Sequence, residues 1–151
     1  MLLIGSDGLI KELFKAVCWC GQSYERDLKV RVAAANAVQM EKELRLECPE
    51  LFTAGAQSGA LEYDIRFLRV DVRTDELCGC IESCGDATYA VVAPGDDTLN
   101  IRTAVMVRTL YQRLHGSRDA SFPIYSSASK TRSGAGWYQT LKASGRVTAT
   151  A

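Results

Sequence analysis

The sequence predicts an α/β protein: a doubly wound, mostly parallel sheet of six strands in the order 3-2-1-4-5-6, covered by helices on both faces. Three observations lead there. Short apolar runs alternate along the whole chain with segments whose apolar residues recur at helical spacing. The fourth run, "ATYAVVAPG" at residues 87–95, is apolar throughout, as in a strand buried on both faces of a parallel sheet. The first run, "LLIGSDGLIKEL" at residues 2–13, passes through two glycines into a helical pattern, as phosphate-cradling turns do. Parallel strands need crossover helices, and right-handed crossovers place them on both faces as a three-layer sandwich. The ligand crevice of such a sheet lies at the carboxyl ends of strands one and four.

The elements follow in order. Leu2–Ile4 is a strand, and residues 8–20 a helix with Leu9, Leu13, Phe14 and Val17 on one face and Gly21 as its C-cap. "DLKVRVAAA" forms the second strand through Ala33, and "AVQMEKELRLEC" a helix stopped by Pro49. "YDIRFLRVDV" is the third strand, with Ile65, Phe67 and Val70 toward the core. The helix "TDELCGCIESCG" starts at a threonine cap. After the fourth strand, Asp96 and Asp97 open a long helix, "TLNIRTAVMVRTLYQRLHG", closed near His115. "FPIYSSA" is the fifth strand, "GAGWYQTLKASG" a helix and "RVTAT" the sixth strand. The Gly/Ala-rich stretch at residues 49–62 is longer than a usual connection and reads as a surface loop, or as a lid over the crevice.

Composition bounds the function. A chain of 151 residues is about one domain, so residues 1–151 form a single unit. Eighteen basic and eighteen acidic residues cancel, leaving no field to attract nucleic acid or an anionic membrane. No apolar run approaches the roughly 18 residues of a membrane span, and the first residues lack the pattern of a signal peptide. A cytoplasmic location without membrane insertion is therefore expected. The six cysteines (Cys18, Cys20, Cys48, Cys78, Cys80 and Cys84) read as reduced thiols. Cys80 and Cys84 share a helix face, but the spacing C-x-C-x-x-x-C lacks paired knuckles and the lone His115 is distant, so no metal is expected.

Three stretches carry a resemblance. "DATYAVVAPGDDTLNIRTAVMVRTL" is similar to the fourth strand and helix of the N-terminal nucleotide-binding domain of the TrkA/RCK family, where a V-x-A-x-x-D-x-x-N run is usual. "LRVDVRTDEL" resembles that family's third strand and following short helix, and "LKASGRVTAT" its closing helix and strand. The resemblance spans almost the whole chain. It implies a Rossmann-like fold, binding of NAD or another adenine nucleotide, a homodimer, and a role in regulating potassium transport beside a membrane transporter. No room is left for the second, ligand-sensing domain that often follows in that family.

The candidate site departs from the pattern it resembles. Of the fingerprint G-x-G-x-x-G, Gly5 supplies the first glycine; Asp7 stands at the second position and Ile10 at the third, with Ser6 and Gly8 between. A carboxylate at position 7 would repel pyrophosphate where the helix dipole should attract it. The second strand ends without the acid that holds the ribose: Ala34 takes that place, with Asn36 the nearest polar group. Arg31 lies on the strand itself. The resemblance places Asp71, with Val72 and Arg73, near the adenine end, and Arg73 could serve a phosphate. Pro94, Gly95 and Asp96 face the same crevice, and Asn100 is positioned to bond back to their loop.

No residues form an acid–base pair, a Ser–His arrangement or a partnered lysine, so no catalytic residue is assigned. The reading is a regulatory nucleotide-binding module whose dinucleotide site is degenerate, its cofactor weakly held or lost. The alternatives are a domain related to NAD(P)-dependent oxidoreductases, and a fold that has lost its nucleotide and serves protein–protein contacts. The long helix after strand four, with Val105, Met106, Leu110 and Tyr111, is the expected dimer surface.

Overall fold

The chain begins at the centre of its own sheet. In a computed structural model that describes residues 1–20, 28–53, 63–116 and 122–127, strand β1 is Leu2–Ile4 and helix α1 is Gly8–Cys20. Then come β2 (Leu28–Ala34), α2 (Ala37–Glu47), the one-turn α3 (Glu50–Thr53) and β3 (Tyr63–Arg69). The second half holds α4 (Glu76–Ser83), β4 (Ala90–Val92), α5 (Asp97–His115) and β5 (Ile124–Ser126). Five strands pair in the order β3-β2-β1-β4-β5, every pair parallel. In register, Leu3 stands between Val32 and Val91, so a strand of three residues is held from both sides. The expected sixth strand and the helix before it lie outside the described residues, as does the stretch 54–62 of the Gly/Ala-rich segment.

Each face of the sheet carries its own core, because successive strand side chains alternate between faces. Leu3, Val30, Val32 and Ala34 meet Ile10, Phe14 and Cys18 of α1 and Met40 and Leu44 of α2. Leu2, Ile4, Ala33 and Val92 meet Leu77 and Ile81 of α4 and Val107 and Tyr111 of α5. This is a three-layer α/β architecture.

Several local expectations shift. The buried stripe of α1 is Ile10, Phe14 and Cys18, with Leu9, Leu13 and Val17 only partly buried at its flanks. Ile65 and Phe67 pack toward α1 and α2, whereas Val70 lies in the opposite core, as an odd step along a strand requires. Helix α4 begins at Glu76, with Asp75 flanking it. The expected Thr74 lies one residue earlier, and its hydroxyl accepts from the Glu76 amide at 3.3 Å. The Asp71 carbonyl accepts from the Thr74 amide, and the Glu76 carboxylate from the Asp71 amide. Tyr111, expected on the dimer surface, is core: it stacks on Phe122 with ring centroids 3.7 Å apart, and its hydroxyl donates to the Gly85 carbonyl. Met106 and Leu110 are partly buried against the same core, leaving Ile101, Val105 and Leu114 as the exposed large apolar residues of α5. From residues 49–62, Leu51 is buried, and Phe52 packs on Phe14 while the Arg45 guanidinium lies 4.3 Å over its ring.

Two helix heads at the carboxyl edge

The strand order reverses at β1, so α1 leaves the sheet toward one face and α5, after the neighbouring β4, toward the other. Gly5 makes the first turn possible. Its φ of +148° is a backbone that side-chain-bearing residues rarely adopt, and a Cβ there would stand 2.2 Å from the Ala93 carbonyl oxygen. The turn is thus pressed against the end of β4. Gly8 is different: it is exposed and a Cβ would meet nothing within 4 Å. Ile10 is fully buried beneath Gly5, its Cγ1 2.9 Å from where that Cβ would be, so it fills the space between helix and strand.

Asp7 does more than repel. Its Oδ1 accepts a hydrogen bond from the Ile10 amide at 3.2 Å, so the carboxylate caps α1. One of the amides that would hold a pyrophosphate is already taken, by a negative charge fixed within the protein. Ser6 beside it is exposed.

At the end of β2, Ala34 is 2% exposed and packed in the α1–α2 core, so it faces away from any ribose. The exposed positions at this rim are Ala35 and Asn36, and the Asn36 side chain makes no capping bond. The carboxylate of a dinucleotide site would therefore belong at Ala35, one residue beyond the position the sequence suggests.

The turn after β3 is self-contained. Asp71 Oδ1 accepts from the Arg73 amide at 2.9 Å, Thr74 Oγ1 donates to the Asp71 carbonyl, and Val72 packs against the α4–α5 core. Only the exposed Arg73 side chain points to other work; its guanidinium has no bonded partner among the described residues.

At the second head, Asp96 caps α5 through the Leu99 amide at 2.9 Å. Asn100, 2% exposed, ties two strand ends together: its Oδ1 accepts from the Gly95 amide at 3.0 Å and its Nδ2 donates to the Ser127 carbonyl at 2.8 Å. A cavity of about 570 Å³ opens here, lined by Arg73, the α5 head, Arg102 and Ser127. The structure thus brings Arg73, Gly95, Asp96 and Asn100 together and leaves Gly5, Ser6, Asp7, Gly8, Ala34 and Asn36 outside that cavity; Pro94 stands between the two turns. Arg102 and Ser127 join the site without a signal in the sequence. Arg102 lies six residues beyond the cap and no local motif marks it; only the fold sets it beside Arg73.

The thiols show no bridge. Burial pushes the Cys18 thiol up to about 12, away from reactivity. A hydrogen bond from Cys80 lowers Cys84 to about 6 and raises Cys80, yet Cys84 is 2% exposed. Among the described residues no group of cysteine, histidine and carboxylate side chains could hold a metal, and no helix is long and apolar enough to cross a membrane. Fold and site define an α/β protein whose described residues form five parallel strands, with a crevice at the carboxyl edge of the sheet. No family model, curated protein or solved structure matches the chain.

Proposed function

We propose that this chain is a non-catalytic regulatory module of Rossmann type, similar to the N-terminal domain of the TrkA/RCK family, whose dinucleotide cradle is closed by its own aspartate. The carrying observation is the Asp7 carboxylate on the Ile10 amide, which puts a fixed anion where the cofactor's pyrophosphate would lie. The strand order, with its switch point beside β1, and the forced glycine at position 5 support the Rossmann reading. Ala35, at the exposed rim where an acid would hold the ribose, supports a lost ribose anchor. The module works in the cytoplasm as a homodimer beside a membrane-transport partner, pairing through the α5 face that exposes Ile101 and Val105.

A thermal-shift panel of NAD, NADH, NADP, AMP and ATP tests the closed cradle. Mass action predicts no NAD-dependent rise for the native chain and a clear one for an Asp7→Gly variant, since glycine is itself a tolerated cap. A large NAD-dependent rise in the native chain would overturn the reading. Light scattering should give a dimer mass for the native chain and a monomer for Val105→Glu; a native monomer at high micromolar concentration would remove the dimer.

A further inference from the structure

The sheet ends at β3, which pairs with β2 on one side and with no other strand among the described residues. It runs for seven residues without a proline. Its hydrogen-bonding phase is fixed by β2. The Val70 amide donates to the Ala34 carbonyl at 3.1 Å, and Val30, Val32 and Ala34 stand in register with Ile65, Phe67 and Arg69. Backbone groups alternate in direction along a strand, so those of Asp64, Arg66 and Leu68 turn toward β2 and those of Ile65, Phe67 and Arg69 turn outward. Among the described residues, the outward amides and carbonyls of these three have no hydrogen-bond partner. Such a row is a template for one more strand. The side chains select its kind. Ile65 and Phe67 are half-buried on the face that carries α1 and α2, where Phe67 packs on Phe14 and Phe52. Arg66, on the opposite face, has a side chain 66% exposed. The Asp64 carboxylate serves both Arg31 and Arg66, and the exposed Arg69 has no ion pair among the described residues. Three arginines thus share one acid at this end of the sheet. A second copy of β3 would bring the same excess of arginine, so an acidic strand suits the edge better.

We propose that the outer edge of β3 is a docking site for an extended acidic segment of a protein partner, bound by strand addition. Residues facing each other across a ladder lie on the same face of the sheet, so the register dictates the pattern of the segment. Apolar side chains stand opposite Ile65 and Phe67, one acid between them stands opposite Arg66, and a second acid stands opposite Arg69. The pattern is apolar–acidic–apolar–x–acidic, read in one direction for a parallel strand and in the other for an antiparallel one. Main-chain hydrogen bonds to the three outward residues hold the segment, and the two arginines choose its charge.

The test is a set of ¹H–¹⁵N titrations of the full chain at low, constant ionic strength. The probes are the terminally blocked peptide Thr-Val-Glu-Val-Thr-Glu-Thr, its reverse sequence, and both with lysine in place of glutamate. Saturable shifts and slowed hydrogen exchange are expected at the Ile65, Phe67 and Arg69 amides with at least one acidic peptide. The lysine peptides should bind about tenfold more weakly or worse, because each acid–arginine attraction becomes a repulsion. Arg66→Glu and Arg69→Glu, both at exposed positions, should each narrow that preference, and the double variant should reverse it. No saturable shift with any peptide, equal affinity for acidic and lysine peptides, or a preference unchanged in the double variant would each overturn the proposal. Protection of the three amides before peptide is added would also overturn it. Protection at every protein concentration would assign the edge to the chain itself, and protection that grows with concentration would assign it to a second copy. The edge lies at the far end of the sheet from β4 and β5, on which α5 packs, so strand addition and pairing through α5 fail separately.

Discussion

Helices α1 and α5 both start beside the switch point, and both are capped by an aspartate three residues before the amide it holds. They differ in what surrounds the cap. The α1 head is pressed against β4 through Gly5, with Ile10 filling the space beneath it, and no basic side chain of the described residues is bonded to Asp7. The α5 head opens on a cavity flanked by two arginines without partners among the described residues, and it is braced by a buried asparagine. The same cap therefore stands in two settings, one filled by its neighbours and one open beside two arginines.

Substitutions can sharpen this contrast. The largest effect should come from Gly5→Ala, where a Cβ meets the Ala93 carbonyl oxygen at a positive φ. Strain and overpacking together predict a loss of about 3 kcal/mol or more by denaturant unfolding, while Gly8→Ala, facing open space, should be neutral or slightly stabilising. Equal effects would mean the turn is not pinned to β4.

Ala34→Asp comes next. It would bury a carboxylate in the α1–α2 core and should cost about 3 kcal/mol, whereas Ala35→Asp at the exposed rim should change stability by less than about 0.5 kcal/mol. A well-folded Ala34→Asp protein would show that the end of β2 is turned the other way.

At the second head, Asn100→Ala removes both ties and leaves the Gly95 amide without its acceptor. A loss of about 2 kcal/mol is expected. The amide resonances of Gly5–Ile10 should stay in place, since the two heads are structurally independent; movement there would join them. The smallest effects belong to the caps. Asp7→Ala and Asp96→Ala should each cost about 1 kcal/mol, and a cost near zero for Asp7→Ala would show that its bond to Ile10 is not formed in solution.

Much of the fold is legible in the sequence because strand and helix periods are distinct signals. Helix α1 covers the residues its pattern marks, and the five described strands stand in the expected order. Apolarity is a poorer guide to length: the run from Ala87 to Gly95 contains a strand of only three residues, because Ala87 packs in the preceding loop and Pro94 follows without an amide to donate. Periodicity also misplaces Tyr111 on the exposed side of α5. A tyrosine hydroxyl can be buried when backbone carbonyls accept from it, and those carbonyls come from the distant Gly85 and Ala87. At the site, the charge of Asp7 marks it as an obstacle but conceals its capping role, although aspartate before a helix is itself a cap signal. Ala34 falls one residue from the exposed rim because strand periodicity marks faces well and ends poorly. The pairing of Arg73 with Arg102 is a product of tertiary structure and leaves no trace in local sequence.

The most direct test of the closed first head is calorimetric titration of NAD into the native chain and into the Asp7→Gly/Ala35→Asp double variant. The native chain should show no measurable binding at millimolar NAD. Removing the fixed anion and adding a ribose anchor should produce binding at least about tenfold tighter, as one recovered charged hydrogen bond of roughly 1.5–3 kcal/mol would give. Native-chain binding in the low micromolar range, or a double variant that folds and gains nothing, would contradict it.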